Sequence, residues 1–189
     1  MPAALRGQAH IASAENIMSE RPFRPLQIAI LTISDTRTLE TDGSGLLLEQ
    51  KILAAGHLAP VREIVPDNIY EIRAILSAWI ARSDIEAIVT TGGTGVTGRD
   101  GTPEAASVLF DKTLDGFGET FRQRSFEEIG SSTSQSRALA GVANGTYIFC
   151  LPGSSGACRL GWDQLIGPQL DFRTRPCNLV ELIPRLKEV

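Results

Sequence analysis

The run Ile-Val-Thr-Thr-Gly-Gly-Thr-Gly-Val-Thr-Gly-Arg-Asp at residues 88–100 constrains this chain most. Ile88 and Val89 are apolar and β-branched and belong to a buried strand, which runs out into a glycine-rich loop. Gly92, Gly93 and Gly95 have no Cβ, so their N–H groups can approach an anion closely. Thr91, Thr94 and Thr97 add hydroxyls, and Arg99 and Asp100 close the loop. Open α/β sheets hold phosphorylated ligands in such loops, at the carboxyl ends of their strands. A plain tight turn would explain the glycines alone. It would not explain the threonines and the Arg-Asp ending.

Two familiar motifs bear on this loop. Gly93-x-Gly95-x-x-Gly98 matches the dinucleotide fingerprint by its letters, but that fingerprint needs its last glycine inside a helix. Thr102 is a natural N-cap and Pro103 a natural first helical residue, so the next helix starts too late. A nicotinamide oxidoreductase is an alternative that rests only on the glycine spacing. A Walker loop is excluded because no Gly-Lys-Ser/Thr follows.

The 189 residues suit one domain with a full core at 26–189, preceded by an arm at 1–25. The arm has scattered charges and no sustained apolar core, so it does not read as a signal peptide. It reads as a mobile or loosely packed segment, or as a subunit contact. Net charge is −4, which argues against a general nucleic-acid or membrane surface. No apolar run approaches membrane-spanning length. Cys150, Cys158 and Cys177 show no C-x-x-C spacing and read as buried thiols of a reducing cytoplasm. His10 and His57 are the only histidines. His57 follows Gly56 at a helix end and reads as a surface residue, so any mechanism must work without histidine.

Residues 26–33 form a strand buried on both faces. Ser34, Asp35 and Thr36 follow it and either cap a turn or line a cleft. Asp42 to Gly45 open a helix that presents Leu46, Ile52 and Leu53 on one face. A second strand at 61–65 leads to Pro66-Asp67-Asn68 and a helix with Ile69, Ile72, Leu76, Trp79 and Ile80 at helical spacing. Asn68 with Glu71 makes a capping box and would leave Asp67 free; the alternative has Asp67 as the cap. The third strand, 85–91, enters the central loop, and helices are expected at 103–110 and from about Glu119 to Ile129, the second partly burying Phe126 and Ile129. Asn144-Gly145 signals a type I′ hairpin between strands at 138–143 and 146–151. Pro152, Gly153, Ser154 and Ser155 then precede a helix at 157–166, ended by Pro168. They are either a second anion site or an ordinary N-cap. A last helix is expected at 179–187.

Alternating strands and helices give a doubly wound, mostly parallel α/β sheet with one antiparallel pair. Its polar loops then share one edge, where a ligand with more than one phosphate would fit. Asp67 and Asp100 beside such loops suggest a hard divalent cation, most simply Mg²⁺, shared with substrate oxygens. Phosphoryl or nucleotidyl transfer fits, because positioning and charge neutralisation carry that chemistry.

These loops, in this order, resemble the MoaB/MogA family of molybdenum cofactor biosynthesis. The strongest pieces are Thr90-Thr-Gly-Gly-Thr-Gly95, Gly98-Arg-Asp100, Gly116-Phe-Gly-Glu119 and Leu151-Pro-Gly-Ser154. Ser125-Phe-Glu-Glu-Ile-Gly130, Gln135-Ser-Arg-Ala138 and Arg173-Thr-Arg-Pro-Cys-Asn178 resemble the MoaB branch. The resemblance implies a three-layer molybdopterin-binding fold, assembled as a homotrimer or homohexamer. It implies adenylylation of molybdopterin by Mg-ATP with release of pyrophosphate. Asp67 and Asp100 match the family's two carboxylates. Ser34, Asp35, Glu119 and the Ser154 loop match positions lining the pterin and phosphates. A non-catalytic molybdopterin carrier or assembly subunit is the alternative.

Overall fold

The computed structural model describes residues 21–188. Most of the expected arm lies outside them. Of its described part, Arg24 pairs with Glu86 at 2.6 Å and the Phe23 ring lies 5.0 Å from the His57 ring.

A six-stranded sheet has the order β2-β1-β3-β6-β5-β4. Its strands are β1 (Ile28–Ile33), β2 (Arg62–Val65), β3 (Ala87–Thr91), β4 (Lys112–Thr113), β5 (Leu139–Ala143) and β6 (Thr146–Leu151). The run β2-β1-β3-β6 is parallel; β5 is antiparallel to β6, through Asn144 and Gly145, both at positive φ. The two-residue β4 adds an antiparallel edge that sequence reading missed, too short to show any alternation. Helices α1 (Gly43–Ala54), α2 (Ile69–Ile80), α3 (Thr102–Ser107), α4 (Asp115–Ile129), α5 (Ser155–Gly161) and α6 (Gly167–Leu170) cover the faces.

Strand periodicity splits the core in two. Ile28 and Ile30 face Leu48, Ile52, Phe121 and Trp162, while Ala29, Leu31 and Ile33 face Ile72, Leu76, Trp79 and Ala105. Within α1 the buried face is Gly45, Leu48 and Ile52; Leu46 and Leu53, expected inside, are 42% and 52% exposed. Ile52 is buried as expected; Leu46 and Leu53 lie about a third of a turn from it, and leucines on several sides of this helix made its inward face ambiguous.

Other boundaries moved for identifiable reasons. α4 begins at Asp115, not Glu119, and takes Gly116 and Gly118 into its first turns. Gly118 is needed there, since a Cβ would lie 2.6 Å from the Ala138 carbonyl oxygen. Phe126 and Ile129 are 58% and 54% exposed, not partly buried. Pro168 does not end the fifth helix region. A π-helical turn at Trp162–Ile166 intervenes, and Pro168 sits in the first turn of α6, where its missing N–H costs little. The last segment is a 3₁₀ helix, Val180–Arg185, with Pro184 inside it.

His57 is buried, not a surface residue. Its Nδ1 accepts the Leu26 N–H at 3.2 Å, and burial holds its pKa below the ordinary value. Cys177 is exposed. Cys150 and Cys158 are buried as expected, with thiols pushed up to about 12 and about 11 by burial. Among the described residues no helix is long and apolar enough to cross a membrane.

The α1 register is testable. Leu48→Ala should cost about 2–5 kcal/mol in urea unfolding, the range for a filled core position. Leu46→Ala should change stability by less than about 0.5 kcal/mol. Equal losses at both positions would contradict the assigned face.

Candidate functional site

Because β1, β3 and β6 are parallel and level, Thr32 stands beside Thr91 and Thr91 beside Leu151, so three loops leave the sheet at one edge. β1 has β2 on one side and β3 on the other, so connections diverge there and open a crevice. The crevice is a cleft of about 460 Å³. Ser34, Gly92, Gly93, Thr94, Gly95, Asp100, Pro152, Gly153 and Ser154 all line it, as the sequence suggested. Asp35, Thr36, Asp67, Glu119 and Ser155 do not. Glu119 is exposed on α4.

The loop after β3 is built on glycine. Gly92 has φ +106°, and a Cβ there would lie 2.3 Å from the Ile33 carbonyl oxygen. Its N–H donates to Leu151 O at 3.0 Å and is therefore engaged within the protein. Gly93 has φ +64°, and a Cβ would meet the Thr102 hydroxyl at 2.4 Å. Thr102 is not the expected N-cap: Gly101 holds that position, and the Thr102 hydroxyl donates to Gly92 O at 2.9 Å. The hydroxyl ties the helix to the loop instead of capping it.

Ser34 and Ser154 both serve as caps. Ser34 Oγ accepts the N–H groups of Thr36 and Arg37, each at 3.2 Å, and Ser154 Oγ caps α5 by accepting Ala157 N–H at 3.2 Å. Each still borders the cleft. The Asp67 question is resolved by Asn68, whose Oδ1 accepts from Tyr70 and Glu71. Asp67 is thus released from capping α2.

The two acids meet around one loop. Asp67 Oδ1 accepts the Gly101 N–H at 3.1 Å, immediately after Asp100 in the chain. Asp100 Oδ2 accepts the Thr97 N–H at 2.8 Å and the Thr97 hydroxyl at 2.6 Å. Asp35 joins them, accepting the Asp67 N–H at 3.1 Å and pairing with Arg99 at 2.6 Å. Burial, followed by the charges of Asp100 and Asp35, raises the Asp67 pKa against its Gly101 hydrogen bond. The Thr97 hydroxyl bond lowers that of Asp100.

Sequence reading missed Thr32, Arg37 and Ser44 on one side of the cleft and Ser125, Ser132 and Gln135 on the other. Arg37 was within reach, being one residue past the polar loop. Ser125 and Gln135 lie in motifs that stand out in the sequence, but only tertiary packing brings that wall across the cleft. Among the described residues no three His, Cys, Asp or Glu side chains form a metal-binding group. The donor set nevertheless fits a hard cation: carboxylates from two loops, Asp67 after β2 and Asp100 after β3, meet at Gly101, the first raised in pKa by burial and then by its acidic neighbours, with remaining ligands left to substrate oxygens and water.

The two acids should affect stability with opposite sign. The folded chain binds the Asp67 proton more tightly, so its stabilising contribution is complete in acid and is lost as pH rises through the raised pKa. Asp67→Asn should therefore melt higher than the parent near about pH 7 and converge with it near about pH 3. Asp100 contributes above its ordinary pKa and loses that contribution as pH falls through the lowered one. Asp100→Asn should accordingly melt lower near about pH 7. Thermal melts across this range would expose shifts of the same sign, which this geometry forbids.

Comparison with known proteins identifies the family. A family described as "Probable molybdopterin binding domain" matches residues 29–171. Molybdenum cofactor biosynthesis protein B of Escherichia coli K12 is 56% identical over 156 residues, covering 82% of this chain and 92% of that protein. A crystal structure of a molybdenum cofactor biosynthesis protein B aligns with TM-score 0.77 at 46% identity, over 79% of this chain and 94% of the other. The tungsten cofactor synthesizing protein MoaB of Pyrococcus furiosus aligns with TM-score 0.68 at 36% identity, over 76% of this chain and 92% of the other. The chain belongs to the molybdopterin-binding domain family of molybdenum cofactor biosynthesis proteins, in its MoaB branch.

Proposed function

We propose that this protein binds molybdopterin in the cleft and adenylylates it with ATP, releasing pyrophosphate. The observation that carries the reading is the meeting of the Gly92–Gly95 loop with Gly153, whose Cβ would lie 3.3 Å from the Gly92 Cα, beside Asp100. Two loops of small residues so close suit adjacent phosphates, and Arg37 adds a cation to the same cleft. The pterin would lie toward Ser125, Ser132 and Gln135, whose hydroxyl and amide groups suit a polar ring edge.

In this reaction the terminal phosphate oxygen of molybdopterin attacks the α-phosphorus of ATP. A P–O bond forms there, and the bond to the bridging oxygen breaks, so its electron pair leaves on pyrophosphate. The attacking phosphate is already ionised, which makes a histidine base unnecessary. The backbone of residues 93–95 and the Gly153–Ser154 turn would hold the phosphates in line. Asp67 and Asp100 would hold Mg²⁺, which supplies charge neutralisation to the phosphates when bound. Asp67 suits that role because burial and the charges of Asp100 and Asp35 outweigh the Gly101 hydrogen bond and the charge of Arg99, so its ionised form has most to gain from a cation.

Purified protein incubated with molybdopterin, ATP and Mg²⁺ should yield adenylylated molybdopterin and pyrophosphate. Asp100→Ala should lower that turnover by about 100-fold or more while leaving molybdopterin binding within a few-fold. Molybdopterin bound with no ATP consumed would identify a carrier or assembly subunit instead.

A further inference from the structure

Within the motif Gln135-Ser-Arg-Ala138, Arg137 has no part in the reaction just described, yet it reaches the site. Arg137 is half-buried on the lead-in to β5. Its Nε donates to Gly95 O at 2.7 Å and its Nη2 to Asp100 O at 2.6 Å. Its Nη1 pairs with Glu104 on α3, and its backbone N–H donates to Thr94 O at 3.1 Å. One planar fork therefore spans both ends of the 95–100 loop and the helix that follows. A guanidinium presents such donors in fixed directions, which an ammonium does not.

Among the described residues, Arg99 with Asp35 and Gly101 with Asp67 tie the loop at single points, whereas Arg137 bonds both its ends. The loop's internal bonds run from Thr97 to the Asp100 carboxylate, which is folded back so far that a Cβ on Gly95 would meet Asp100 Oδ2 at 2.7 Å. Where that carboxylate stands is thus set by how the loop closes. The same lead-in touches the opposite wall: Ser136 borders the cleft, and Ala138 O accepts from Arg122 of α4 at 3.1 Å.

We propose that Arg137 is a positioning residue that holds the 95–100 loop closed through the Gly95 and Asp100 carbonyls, and so places Asp100 for phosphate chemistry. It acts through the loop and not on substrate. The kinetic part of the test rests on the AMP-transfer reading; the rest does not.

The test compares the parent with Arg137→Ala and Arg137→Lys. In Arg137→Ala, hydrogen exchange of the backbone amides at 95–101 should speed up by about tenfold or more, with exchange in the β1 and β6 core unchanged. Binding of inorganic pyrophosphate with Mg²⁺ should weaken by about tenfold, and KM for ATP should rise similarly with a smaller change in kcat. Guanidinium ion, far below denaturing concentrations, should restore binding and KM in Arg137→Ala, while sodium at equal ionic strength should not. Arg137→Lys, which keeps the charge and loses the fork, should show the same loop exchange and binding defects. If Arg137→Ala does not fold, Arg137→Lys decides the matter by the same readouts. Parent-like exchange and pyrophosphate binding in a folded variant would overturn the proposal, as would failure of guanidinium to restore Arg137→Ala. If the parent transfers no AMP, the adenylylation reading falls, and loop exchange with pyrophosphate binding still judges the clamp.

Discussion

Three strands end within van der Waals reach of Gly92, and the site depends on that crowding. The Ile33 carbonyl from β1 occupies the space where a side chain would begin, and Leu151 O from β6 takes the Gly92 N–H. Gly153 packs on its Cα from the other side, and Thr102 holds its carbonyl. With φ at +106° the position is also one that L side chains rarely adopt. A larger residue would separate the β1, β3 and β6 loops, which would then no longer border a common cleft. Parallel, level strands bring the loops to one edge; the missing Cβ lets them touch.

Acidic residues around this junction show how environment assigns roles. Asp42 is buried, and its carboxylate is fully engaged by the Thr32 hydroxyl, the Gly45 N–H, Ser44 and Arg62. It braces β1 against α1 and β2. Asp100 faces the cleft but is steadied by Thr97, so its anionic form is favoured. Asp67 is different: desolvation and like charges act against its ionised form. An anion held at such a disadvantage gains from an incoming cation, and this separates a binding carboxylate from a structural one.

Much of the cleft was legible before any coordinates. Buried strands at β1, β3 and β6 stand out as continuous apolar runs, and Asn144-Gly145 dictates its turn by its own conformational preference. The small-residue loops after them are equally local signals, which is why nine of the suggested lining residues border one cavity. Asn68 as the cap of α2 follows from a side-chain oxygen two and three residues from the amides it accepts.

Other features depend on partners distant in sequence. Arg137 meets Gly95 and Asp100 from 42 and 37 residues away in the chain. The Ser125–Gln135 wall, the burial of His57 under Phe23 and Trp162, and the inward face of α1 arise in the same way. The sequence by itself determined the strands, the tight turns and the small residues that let backbone approach backbone, because these follow from each residue's own sterics and its near neighbours. Tertiary structure alone decided which walls face each other and which charges share a loop, because those energies depend on distances that exist only once the sheet has closed.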